Sequence, residues 1–173
     1  MEQSSKTLTF VVPAYNMETY LERCVESLLS ATDNSDIEVL IVDDGSSDGT
    51  PELADMYERR WPGNVRAIHQ VNKGHGGAVN TGIANATGMY VKVVDADDWV
   101  DMPSIDTLMG TLRVQRVATD PVDMIVTNYV YDKVGKRVKH TVNFRHAMAA
   151  NTVLGCDDLG CFGVAEYILM HAL

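Results

Sequence analysis

A repeated unit constrains this chain most: a short apolar run, then a polar or acidic turn, then a stretch with helical periodicity. Residues 8–12 are apolar and lead into Pro13-Ala14-Tyr15-Asn16. Met17, Tyr20, Leu21, Cys24, Val25, Leu28 and Leu29 then recur with the spacing of one helix face, with Asn16 as its N-cap. Residues 37–42 form a second run, which ends in Asp43-Asp44-Gly45-Ser46-Ser47-Asp48-Gly49. Thr50-Pro51-Glu52 opens the next helix with a capping hydroxyl, a proline in its first turn and an acid. Residues 65–69 make a third strand, and residues 74–86 read as a helix with a glycine-rich start, closed by Gly88 as a C-terminal cap. A fourth strand, 90–94, ends in Asp95-Ala96-Asp97-Asp98. Ile105, Leu108, Met109 and Leu112 mark a short helix, and residues 122–131 and 138–144 look like two strands joined through 133–137. This alternation predicts an α/β fold, a mostly parallel sheet flanked by helices.

The chain has 173 residues, enough for one domain with a sizeable core. Its formal net charge is −10 with scattered basic residues, so it offers no positive stripe for a nucleic-acid partner. The same excess means that a diphosphate ligand would need a cation or local backbone donors. Cys24, Cys156 and Cys161 form no CxxC pair, which fits a reduced, cytoplasmic setting. These cysteines with His140, His146 and His171 have poor spacing for structural zinc. The N-terminus carries no apolar signal segment, and no stretch approaches the roughly 18 apolar residues of a membrane span. Peripheral association with the inner face of a membrane would have to come from regions beyond these residues. The apolar stretch 167–173 stops without a cap or polar tail, which predicts a single domain, 1–173, left incomplete at its C-terminus.

In a parallel sheet the turns after strands one, two and four lie along one edge, where α/β proteins bind ligands. Asp95, Asp97 and Asp98 crowd three carboxylates after one strand, and a hard cation such as Mg²⁺ or Mn²⁺ would relieve their repulsion. The same residues also read as an acidic loop leading to the next helix. Asp43-Asp44-Gly45 is either a tight turn or an acceptor for a base imide or ribose hydroxyl. Pro13 and Tyr15 would present backbone and a ring face to the same base. Asn72-Lys73-Gly74-His75-Gly76-Gly77 suits an anion at a helix N-terminus, with Lys73 adding charge, or else serves close helix packing. It is neither a Walker loop nor a GxGxxG fingerprint.

The order of these motifs resembles glycosyltransferase family 2, which has the GT-A fold (nucleotide-diphospho-sugar transferase, Rossmann-like). The resemblance is carried by Val11-Val12-Pro13-Ala14-Tyr15-Asn16, by Val42-Asp43-Asp44-Gly45-Ser46-Ser47-Asp48-Gly49-Thr50, by Asn72-Lys73-Gly74-His75-Gly76-Gly77-Ala78-Val79-Asn80-Thr81-Gly82, and by Val94-Asp95-Ala96-Asp97-Asp98-Trp99. It covers residues 8–101 strongly and continues more faintly to Tyr131. It implies a donor nucleotide-binding part at 8–101 and the start of an acceptor-side part at 102–173. It also implies transfer of a sugar, a hexose, from a UDP-sugar to the hydroxyl of a glycan or lipid-linked acceptor, usually with inversion.

By the same resemblance, Pro13, Ala14, Tyr15, Asn16, Asp43, Asp44, Lys73, Gly74, His75, Asp95 and Asp97 bind the nucleotide sugar. Asp95, Asp97 and Asp98 match the DxD-type motif, which contacts the ribose and binds Mn²⁺ or Mg²⁺; which of Asp97 and Asp98 is the direct metal ligand differs among relatives. Many relatives carry Ala-Arg-Asn where this chain has Ala78-Val79-Asn80, so Lys73 or His75 would have to replace an arginine contact. The family's general base normally lies beyond Leu173. Asp157, Asp158 and Glu166 read as surface or capping residues, so the chain is expected to bind donor without transferring sugar. A sugar-phosphate nucleotidyltransferase would want a glycine-rich basic loop after strand one, where Tyr15-Asn16-Met17-Glu18 stands instead. A phospho-acceptor signalling domain would want its acid pair after the first strand, not the second. A non-catalytic donor-binding module is the remaining alternative.

Overall fold

The computed structural model describes residues 6–132, 139–144 and 153. The chain divides into two compact units that meet in sequence between Pro121 and Val122. In the first, the order is β1 (Leu8–Ala14), α1 (Leu21–Leu28), β2 (Ile37–Asp43), α2 (Thr50–Arg60), β3 (Val65–His69), α3 (Gly74–Asn85), β4 (Tyr90–Val93) and α4 (Met102–Arg116). The strands form one parallel sheet in the order β3-β2-β1-β4, which is the expected fold class.

β1 and β2 are buried along their whole length, as central parallel strands covered on both faces must be. That burial explains why their sequences read as unbroken apolar runs rather than alternating ones. Val11, Val42, Ala78 and Val91 form a core cluster where α3 meets the sheet. Gly82 makes this packing possible: a Cβ there would stand 2.2 Å from Val11 Cγ1. Pro13 sits inside a central strand without losing a ladder bond. Val11 O accepts from Val94 N, toward β4, and Ala14 O accepts from Asp44 N, beyond β2. Alternation then turns Pro13 toward β4, whose pairing with β1 has already ended at Val93.

Several local expectations are corrected. Asn16 is not a helix cap; it has φ +54°, and α1 begins only at Leu21. Tyr20 lies on the exposed side of this turn, while Leu21, Cys24, Val25 and Leu28 carry the buried face. The Thr50 hydroxyl does not cap α2 but accepts from Met17 N at 2.8 Å. Gly88 is not a C-terminal cap, since α3 ends at Asn85 with Ala86 as its cap. Gly88 is small because it crosses β1, where a Cβ would meet Thr9 N at 2.6 Å. The fourth helix is long rather than short, and it starts at the Asp101 cap, whose carboxylate accepts from Ser104 N.

In the second unit, β5 (Tyr129–Tyr131) and β6 (His140–Val142) pair antiparallel. Both are shorter than the sequence suggested. Tyr129 packs edge-on against Tyr131 and tilted against Phe144, and Tyr131 stacks with His140. His146, Cys156, Asp157, Asp158, Cys161, Glu166, His171 and the apolar stretch 167–173 lie outside the described residues.

Candidate functional site

β2 and β3 step away from β1 in one direction and β4 lies on its other side, so the sheet reverses its order between β1 and β4. The C-terminal strand ends at such a reversal are where open α/β sheets form a crevice. The turns carrying the expected site residues all stand on this edge.

The turn after β1 is sewn to the turn after β2. Asn16 N donates to Ser46 Oγ at 3.0 Å, and Asn16 Oδ1 accepts from Ser47 N at 2.8 Å. Glu18 N donates to Asp48 Oδ2, and Gly49 N donates to Glu18 Oε2, both at 3.1 Å. Pro13 and Ala14 are buried beneath this seam, while the Tyr15 ring is half exposed beside it. Gly45, at φ +74°, lets the second turn lie against the segment after β3, since a Cβ would meet Asn72 N at 3.0 Å.

The paired acids after β2 are both buried, and they do different things. Asp43, 3% exposed, receives Ser46 N on Oδ1 and the His69 ring on Oδ2, each at 3.0 Å. Asp44, 2% exposed, accepts from Gln70 Nε2 at 2.6 Å and from Lys73 N at 2.8 Å, both on Oδ1. Burial opposes the charge on Asp44, but hydrogen bonds from Gln70, Lys73 and Gly74 outweigh it and hold the carboxyl below its usual range. The Lys73 backbone thus joins the β2 turn to the start of α3.

Gly74, at φ +76°, turns the chain into α3. Gly77 lies under Lys73, whose Cβ would be 2.4 Å from a Cβ at position 77. The amides of His75 and Gly76 stand in the first helical turn, where the helix supplies no acceptor of its own. His75 Nε2 is 3.7 Å from Asp95 Oδ1, which brings the start of α3 to the acidic turn.

Asp95, Asp97 and Asp98 are exposed, and Ala96 between them is buried as an anchor. Burial raises the Asp98 carboxyl above its usual range, and repulsion from Asp97 and Asp95 raises it further against the pull of Lys92. Cys24 of α1 lies beneath this turn, its thiol 3.7 Å from Asp95 O. Burial and then the three acids push that thiol up to about 12. Arg23 stacks over the Trp99 ring, 3.3 Å from its centroid, and Ser27 Oγ accepts from Val100 N, so α1 braces the turn along its length. Among the described residues no three acidic, histidine or cysteine side chains converge as a preformed cation site.

The structure therefore joins Asn16 to Ser46, Asp44 to Lys73, and His75 to Asp95, but it turns the Asp43 carboxylate inward to His69. Sequence reasoning missed Gln70, His69, Arg23 and Trp99. Gln70 and His69 fall at the end of β3 in line with the other strand-end turns, which is the one signal that could have found them.

A family model described as Glycosyl transferase family 2 matches residues 9–163. The glycosyltransferase GlyG of Streptococcus pneumoniae serotype 4 is 40% identical over 131 residues, covering 75% of this chain and 41% of that protein. TarS of S. aureus in complex with UDP-GlcNAc superposes with a TM-score of 0.57 at 26% identity, over 64% of this chain and 32% of that one. The mannosyltransferase PcManGT of Pyrobaculum calidifontis in complex with GDP-Man and Mn²⁺ gives 0.55 at 27% identity, again over 64% and 32%. The chain spans only 10–41% of the length of the curated relatives it matches.

Proposed function

This chain belongs to glycosyltransferase family 2, and from that premise we propose that its strand-end crevice holds a nucleotide-diphosphate sugar, a UDP-sugar, for transfer to a hydroxyl acceptor. The observation that carries this reading is the pair of contacts, Lys73 N to Asp44 and His75 to Asp95, that join the turns after β2 and β4 through the start of α3. UDP-GlcNAc bound to TarS and GDP-Man with Mn²⁺ bound to PcManGT give it support from the fold's neighbours.

Asp44, fixed by Gln70 and Lys73, accepts from the imide edge of the base, with Pro13, Ala14, Tyr15 and Asn16 forming the wall against which the base lies. Asp43 shapes the turn. The first-turn amides of α3, with Lys73 and His75, face the diphosphate and stand in for the arginine that Val79 replaces. Asp95 serves the ribose. The donor set at the acidic turn fits a hard cation: three carboxylates in one turn, where partial burial and then repulsion from Asp97 and Asp95 make Asp98 resist ionising alone. Asp97 and Asp98 would hold Mn²⁺ or Mg²⁺ there, which supplies Lewis-acid stabilisation for charge on the leaving nucleoside diphosphate. The acceptor, a glycan or lipid-linked sugar, needs a base within hydrogen-bond reach of its hydroxyl, and transfer with inversion follows from attack opposite the leaving group. Among the described residues no helix is long and apolar enough to cross a membrane.

The test is calorimetric titration of UDP, ADP and GDP into the chain, with Mn²⁺ and with EDTA. UDP binding that needs the metal and exceeds that of the other nucleotides is the expected result. Equal affinity for all three would overturn the base assignment, and equal affinity in EDTA would overturn the metal assignment.

A further inference from the structure

His69 closes β3 with both ring nitrogens committed to carboxylates. Nδ1 is 3.0 Å from Asp43 Oδ2 and Nε2 is 3.1 Å from Asp55 Oδ1 on α2. An ionised carboxylate only accepts, so both contacts are hydrogen bonds only when both nitrogens carry protons. A neutral ring donates once and turns a lone pair toward the other acid. The geometry is thus that of an imidazolium clamped between α2 and the tip of β2. The second oxygen of Asp43 accepts from Ser46 N, in the middle of the turn assigned to the nucleotide. Asp43 O also accepts from Gln70 N, whose side chain fixes Asp44. A change at the ring therefore reaches Asp43 through one hydrogen bond and Asp44 through three.

We propose that His69 is a positioning residue for the donor site, its positive charge holding Asp43 and with it the 43–49 turn in the shape that receives a nucleotide. This rests on the reading of that turn as the nucleotide site. The charged groups facing the ring are Asp43 from β2 and Asp55 from α2. Glu58 on α2 is turned to Ala67 N, Arg66 on β3 is paired with Glu38, and the only titratable side chain on α3, His75, is directed to Asp95. Hydrogen bonds from the ring to Asp43 and then to Asp55 raise its pKa above the ordinary histidine value, against some burial. The clamp is therefore held while the ring is protonated and is lost as pH rises through the ring's own, raised pKa.

The experiment is NMR of the isotope-labelled chain, following the His69 ring and the Ser46 amide from about pH 5 to 8, the window in which an ordinary histidine titrates, and upward until the ring is neutral. The ring is expected to titrate above free histidine, and the Ser46 amide to shift with the same midpoint. In Asp55→Asn both midpoints should move down together, and in His69→Gln the Ser46 amide should not titrate at all. In parallel, UDP-GlcNAc with Mg²⁺ is titrated calorimetrically over the same range, a probe whose esterified phosphates do not take up protons there. Wild-type affinity should fall by up to about tenfold across the ring's midpoint, a one-unit difference in pKa between free and bound chain. The fall should follow the midpoint downward in Asp55→Asn and vanish in His69→Gln. An ordinary ring pKa with an unmoved Ser46 amide would overturn the proposal, as would donor affinity that ignores pH and substitution. No UDP-GlcNAc binding at any pH, with Ser46 still following the ring, would overturn the nucleotide reading beneath the proposal and support the clamp itself.

Discussion

The side-chain amide of Gln70 donates to Asp44 at 2.6 Å, and Thr81 of α3 in turn donates to Gln70 Oε1 at the same distance. Three elements are thereby threaded on one line, from α3 through the end of β3 to the turn after β2. The Asp44 carboxylate is buried, ionised and unable to rotate before any ligand arrives. If Asp44 accepts from the base as proposed, a group held this way should discriminate well, because it cannot turn aside to compensate for a wrong partner.

Asp44→Ala should weaken UDP binding by about 1–3 kcal/mol, the usual loss for a charged hydrogen-bond partner. It should also lower the stability of the empty chain, because Gln70 Nε2 and Lys73 N lose their acceptor. Gln70→Ala should give a smaller loss of affinity, about 1 kcal/mol, by freeing the carboxylate without deleting it. Calorimetry and thermal unfolding on both variants separate the two effects. An Asp44→Ala chain that binds UDP as the wild type does would remove Asp44 from the site.

Asp98→Asn should act in opposite directions on stability and on metal-dependent binding. Burial and the neighbouring acids raise the Asp98 pKa, so its charge costs the folded chain stability as pH rises through that value. Asparagine should therefore stabilise the metal-free chain slightly, by about 0.5 kcal/mol or less given how exposed the group is. UDP binding in Mn²⁺ should weaken by about 1–3 kcal/mol in the same variant. Melting curves in EDTA and titrations in Mn²⁺ give the two readings, and a fall in both would point to a structural role alone.

Glu38 should govern acid stability. It is 4% exposed and receives Thr9 Oγ1, Thr87 N, Thr87 Oγ1 and Arg66 Nη1. Burial opposes its charge, and these donors together overcome it, holding the carboxyl below its usual range. Its contribution is then present above the ordinary glutamate pKa and lost as pH falls from about 4.5 toward its lower folded value. Glu38→Ala should cost about 3 kcal/mol at neutral pH by stranding buried donors. In urea titrations the gap to wild type should narrow as the buffer is made more acid.

Gly82→Ala should destabilise by about 1–2 kcal/mol, the overpacking cost against Val11 exceeding the gain in helix propensity. Val11→Ala in the same chain should restore part of the loss, because it removes the methyl that lies 2.2 Å from the new Cβ. Equilibrium unfolding of the two single variants and the double variant measures the coupling.

The strands were readable in the sequence because β1 and β2 are buried on both faces, which leaves continuous apolar runs, and because each run ends in a turn of charged or glycine residues. The expected gathering of the turns on one edge follows from parallel topology and needed no contact information. What the sequence hid were roles fixed by partners some 30 positions away. Asn16 has the composition of a helix cap, yet Ser46 and Ser47 claim its backbone and side chain. Thr50 likewise looks like a cap and is taken by Met17. Asp43 and Asp44 are indistinguishable as a pair in the sequence, and only the neighbouring end of β3, with His69 and Gln70, tells them apart.

Cys24 has a chemical consequence of its own. With its side chain fully buried and its pKa pushed up to about 12, its thiolate fraction at neutral pH is on the order of 10⁻⁵, far below that of a free cysteine. Alkylating reagents and oxidants should pass it by while the acidic turn is seated on α1. Reaction at Cys24, read on its own peptide, then becomes a clock for how often that turn lifts. A ligand that pins the turn should slow the clock without touching the sulfur.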